Sequence, residues 1–141
     1  MNLDTVDATT FGRGLSGVGV NLLTPDVRAL AHMMVEVFGR TAHQVSDDFA
    51  IIRHMDTFIQ IHADGTFGRH PLLGYVPESP PRGGGVQIYL FGVDPDVAVA
   101  RAATTGHMVI EHPTNKPHGL REATILSAEG YAFSPAIATD V

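Results

Sequence analysis

The sequence predicts an α+β domain of two tandem β-α-β-β-β modules whose mixed sheets cup one shared cleft, and three observations carry that expectation. A glycine-led strand pattern runs into an Asp/Pro helix start twice, Gly17 to Leu23 before Thr24-Pro25-Asp26 and Gly83 to Phe91 before Asp94-Pro95-Asp96. Each start leads into an apolar helical stretch closed by glycine, at Gly39 and at Gly106. Between the halves, positions 65–84 hold Gly68, Pro71, Gly74, Pro77, Pro80 and Pro81, a density of breakers that marks a linker. A repeat of this size is too large for a solenoid unit, so it reads as two fused modules, about 17–64 and 85–137, within one domain spanning 1–141.

The elements follow in order. Val18, Val20 and Leu22 alternate with Gly19, Asn21 and Leu23, the period of a strand. Thr24 then reads as an N-cap, Pro25 as a first-turn proline and Asp26 as an acid at the positive end of the helix dipole. Val27, Leu30, Met34 and Val37 or Phe38 form one apolar stripe, and strands are expected at 42–46, 49–54 and 57–63 with a turn at Asp47-Asp48. The second module repeats this with a strand at 86–91 and a helix capped by Asp94-Pro95 and carrying Val97, Ala100 and Ala103. Its remaining strands are expected at 107–111, 120–127 and 131–134. Residues 1–16 have neither a basic start nor an apolar run, so they read as a loose or partner-bound arm and not as a signal peptide.

Composition narrows the function classes. Hydrophobic residues make up 44% of the chain and charged ones 17%, which suits a buried core. Nine bases scattered among fifteen acids, net charge −6, argue against a nucleic-acid partner and favour a neutral or cationic small ligand. The lack of cysteine removes disulfides, thiolate catalysis and Cys-ligated zinc. No run is long enough to span a bilayer, so a cytoplasmic protein without a membrane partner is expected. The serines lack an elbow motif, and Gly83-Gly84-Gly85 precedes a strand, not the helix a phosphate loop requires, so no catalytic residue is assigned.

The twofold β-α-β-β-β order resembles that of the vicinal oxygen chelate superfamily, the glyoxalases, extradiol dioxygenases, fosfomycin-resistance enzymes and bleomycin-resistance proteins. Further resemblance lies in Val35-Glu36-Val37-Phe38-Gly39, Val93-Asp94, Ala102-Ala103-Thr104-Thr105-Gly106-His107-Met108-Val109 and Ser127-Ala128-Glu129-Gly130-Tyr131. Enzymes of that superfamily hold a divalent metal with His and Glu from the first and fourth strands of each module. The corresponding positions here fall near Gly19 or Asn21, Gly85 or Gln87, Gln60, and Ser134, none of them an imidazole or carboxylate. The resemblance therefore implies a member without the usual metal ligands, with His62, two residues past Gln60, as the one alternative ligand. It also implies a homodimer.

Strand parity gives the cleft residues independently. If Val20/Leu22, Ile59/Ile61 and Val86/Ile88 face the helices, then Asn21, Phe58, Gln60, His62, Gln87, Tyr89, Ala132 and Ser134 face the other side. These amides, hydroxyl, imidazole and aromatics either hold a ligand or satisfy one another. Arg121 and Glu122 are adjacent and so point to opposite faces, one to pair in the core and the other to meet ligand. The expected function is metal-independent binding of a neutral or cationic, partly aromatic compound. The alternative is a metal-dependent lyase, isomerase or dioxygenase with a divalent metal and a ligand set including His62.

Overall fold

The alternating stretch at the start of the first module forms β1 (Val20–Thr24) in the computed structural model, which describes residues 1–140. The helix α2 (Val27–Glu36) follows, and α1 (Ala8–Arg13) precedes β1 within the segment expected to be a loose or partner-bound arm. Asp26, not Thr24, caps α2. Its carboxylate accepts from Ala29 N at 3.1 Å, while Thr24 Oγ1 accepts from Asp26 N and so orients the cap. The apolar stripe of α2 is buried at Val27, Leu30 and Met34, and its end carries buried Val37 and Phe38 into Gly39 at φ 66°.

Three strands complete the first module, β2 (Thr41–His43), β3 (Phe49–His54) and β4 (Thr57–Ala63). The sheet order is β1-β4-β3-β2, with β1 parallel to β4 and the rest antiparallel. Parallel pairing sets Asn21 beside Gln60 and Leu23 beside His62. The linker is not featureless, since it winds 3-10 turns at Asp64–Phe67 and Pro71–Tyr75.

The second module builds β5 (Gln87–Phe91), α3 (Pro95–Thr105), β6 (Met108–Asn115), β7 (Leu120–Leu126) and β8 (Ala132–Ala138). Its sheet order, β5-β8-β7-β6, repeats that of the first. Asp94 caps α3 by accepting from Asp96 N and Val97 N, and Gly106 ends it at φ 78°, a conformation that glycine adopts without a Cβ penalty. The buried stripe of α3 is Pro95, Ala98 and Ala102, not Val97, Ala100 and Ala103. Arg121 of β7 bonds Asp96 at the start of α3 twice, at 2.8 and 2.9 Å, at the exposed edge of that packing.

Both β6 and β8 run further than expected. In β8 the ladder to β7 pairs Glu122 with Ala136 and Ile125 with Phe133 but skips the residues between. Pro135, which has no N–H to donate, falls in that gap and is tolerated there.

The chain divides into two compact units, one of residues 1–35 and 40–75, the other of Glu36–Gly39 with the chain from Val76 onward. In the first unit Leu3, Phe11 and Ile51 form a buried cluster with Val6, Phe49 and Phe58 against it. In the second, Phe38 lies 5.5 Å from Phe133, ring to ring, and Gly130 turns at φ 92° against Pro81. No described helix is long and apolar enough to cross a membrane.

Candidate functional site

Alternation along β7 sends Arg121 to α3, where it pairs with Asp96 at the surface, and Glu122 to the opposite face. Glu122 is only 3% exposed and lines an open groove of about 760 Å³ lying wholly within the second unit. Its Oε2 is buried without a hydrogen-bond partner among the described residues. The nearest base, His118 Nε2, stands 3.6 Å from Oε1, and its side chain is half exposed. A buried carboxylate oxygen without a donor costs free energy, so a residue kept in that state marks a place where a donor from outside the fold fits.

Gln87 and Tyr89 of β5 and Thr124 of β7 line the same groove. Gln87 Nε2 donates to Ser134 Oγ at 2.8 Å, and the Ser134 and Thr124 hydroxyls bond at 2.9 Å. Ser134 itself is fully buried, so its part is to hold the Gln87 amide. The Tyr89 phenol has its pKa raised, first by hydrogen bonding with Glu122, then by burial and by the Glu122 charge. Its ring stacks on Phe91 at 5.0 Å with planes 4° apart, which presents an aromatic wall.

Two groove residues were not anticipated. Lys116 Nζ donates to Glu111 Oε2 at 2.7 Å, and this pair, with Glu122 close behind it, raises the Lys116 pKa. With carboxylates at Glu111 and Glu122 and one ammonium at Lys116, the groove carries a net negative charge. The pairing of β6 with β7 shifts register on both sides of Glu111, a feature that the sequence does not announce.

The remaining expected residues lie in the first unit. His62 Nδ1 bonds Asn21 Oδ1 at 2.6 Å, and burial lowers the His62 pKa. Its ring sits between Phe49 at 4.9 Å and Phe67 at 5.3 Å. Phe58 packs edge-on against Phe11 at 5.4 Å, and Gln60 is half-buried. Asn21 and Gln87 therefore each pair within their own module.

The donor set does not fit a divalent metal. The positions that would carry it hold Asn21, Gln60, Gln87 and Ser134, with His62 as the one imidazole, and no three His, Asp or Glu side chains converge among the described residues.

No family model matches the chain, and no curated protein does. Solved structures do match. A glyoxalase/bleomycin resistance protein/dioxygenase family enzyme from Burkholderia phytofirmans PsJN aligns at 18% identity with a TM-score of 0.71, covering 85% of this chain and 96% of its own. TioX from Micromonospora sp. ML1 aligns at 19% identity and TM-score 0.61, covering 88% and 99%. The fosfomycin resistance protein FosX from Mesorhizobium loti aligns at 12% identity and TM-score 0.62, covering 89% and 93%. The repeated module and these alignments agree, and the chain has the two-module fold of the solved glyoxalase/bleomycin resistance/dioxygenase and fosfomycin resistance proteins.

Proposed function

We propose that the chain is a small-molecule-binding protein of the glyoxalase/bleomycin-resistance type that works without a metal and holds a neutral or cationic, partly aromatic compound. One observation carries the reading. The buried Glu122 carboxylate keeps an oxygen without a donor beside a net-negative groove walled by the Tyr89 ring. An ammonium, amidine or amide N–H supplies the missing donor, and Tyr89 adds cation–π or stacking attraction of about 0.5–2 kcal/mol. Gln87, braced by Ser134, offers its amide oxygen to a second polar group of the ligand. Solved relatives of this fold include a fosfomycin resistance protein, which supports small-molecule binding as the use of such a site.

The same reading includes a homodimer located in the cytoplasm. Exposed Phe91 and Met108 in the second unit supply apolar surface for such a contact. Light scattering at micromolar concentration checks it, and a strict monomer removes it.

Thermal-shift screening of aromatic amines, amides and carboxylic acids tests the binding reading. Amine-bearing hits are expected to stabilise the wild type and to lose most of that stabilisation in Glu122→Gln. Hits that stabilise both proteins equally, or a screen that favours carboxylic acids, refute the assignment of Glu122.

A further inference from the structure

The first unit contains a second pocket with different chemistry, built by the segment ahead of β1. Residues 1–16 read from the sequence as a loose or partner-bound arm, yet Leu3 and Phe11 are buried beside Ile51, with Val6, Phe49 and Phe58 packed against them. A latch holds the segment there. Gln44, at φ 52°, turns its amide so that Nε2 donates to both Leu3 O (2.9 Å) and Val6 O (2.8 Å). His43 Nδ1 adds a 2.8 Å bond to Asp4.

The docked segment does not fill the face it covers. A cavity of about 340 Å³ remains, walled by Phe11 and Leu15 from the segment and by Phe49 and Ile51 from the sheet. Its polar groups include Gln60 and His62. Because His62 Nδ1 faces the Asn21 carbonyl oxygen, that nitrogen carries the proton and Nε2 is the lone-pair acceptor of the neutral ring. Neither Nε2 nor the Gln60 amide has a hydrogen-bond partner among the described residues. Burial disfavours the imidazolium, which keeps the acceptor available near neutral pH. A volume of this order, mostly apolar with a few convergent polar groups, matches a small-ligand site.

We propose that this pocket binds a small planar aromatic molecule carrying one N–H or O–H donor, which lies among Phe11, Leu15 and Phe49 and donates to His62 Nε2. Gln60 pairs with a second polar atom where the molecule has one. No residue lines both this pocket and the Glu122 groove. The pocket needs the docked segment, because Phe11 and Leu15 make one wall.

Indole and benzofuran are the probes, equal in shape but different in that only indole has an N–H. Each is titrated into the isotope-labelled full chain and followed by amide chemical shifts. Indole is expected to shift amides around Phe11, Leu15, Phe49 and Gln60 and to bind about tenfold tighter than benzofuran. His62→Phe keeps an aromatic ring but removes the acceptor, and it is expected to bring indole down to the benzofuran affinity. Equal affinity of the two probes for the wild type overturns the proposal without any variant. So does absence of shifts in these residues at millimolar indole, or an unchanged indole affinity in a folded His62→Phe.

Discussion

Replacing Glu122 with glutamine should make the protein more stable while it weakens binding. The side chain is 3% exposed, and its Oε2 is buried with no partner among the described residues. An unmet buried acceptor costs about 1–3 kcal/mol, more when it is charged. Glutamine keeps the shape and the Oε1 acceptor and removes the charge, but its amide N–H₂ also lacks a partner, which returns part of the gain. A net stabilisation of about 1 kcal/mol follows, or roughly 3 °C in Tm for a chain of this size. Urea unfolding followed by circular dichroism at neutral pH measures it, with an unchanged m-value marking an unchanged native state. A Glu122→Gln chain less stable than wild type by more than about 1 kcal/mol refutes the reasoning, because the fold would then depend on the carboxylate. Stability gained at the expense of binding is the usual signature of a group retained for function.

Further outcomes are expected elsewhere. Gly130→Ala should cost more than about 2 kcal/mol, since φ is 92° and an added Cβ would lie 2.5 Å from Pro81 Cα; Gly84→Ala, with open space around it, should stay within about 0.5 kcal/mol by the same urea assay. Phe11→Ala should cost about 2–3 kcal/mol of docking free energy, read as faster amide exchange in Ala8–Arg13. Burial holds the His62 pKa below its ordinary 6.5, so the unfolded chain takes up the proton first and stability falls as pH drops through 6.5 towards the folded value. Urea midpoints measured across that interval should fall less steeply in His62→Phe, and an unchanged slope contradicts the assignment.

Much of the fold was legible because its signals are local. Asp94-Pro95 and Gly106 state both ends of α3, and the alternation from Thr57 to Ala63 states β4 to the residue. Features set by distant partners were not. Phe11 looks like a single apolar residue in a polar arm until Ile51 and Phe58 come against it. The rotation of α3 cannot be read from a run of alanines and valines, since which of them meet the sheet depends on packing against distant strands, and the structure buries Pro95, Ala98 and Ala102. Strand β8 appeared to stop at Pro135, because only the sheet shows that β7 leaves a gap there. The candidate site divides in the same way. Parity found Gln87 and Tyr89, but choosing Glu122 over Arg121 required knowing which strand face meets the helix. Glu111 lies between two register shifts of β6, and Lys116 lies past the end of that strand, where strand parity does not apply.

The central claim is that a ligand binds through Glu122 without a metal, and a calorimetric titration tests it most directly. The strongest amine from the screen is titrated into protein stripped with chelator, into untreated protein and into Glu122→Gln. The account predicts equal affinity before and after chelation and a loss of at least about tenfold in the variant. Binding that vanishes on chelation and returns with added zinc, iron or manganese, or that is unchanged in Glu122→Gln, contradicts it.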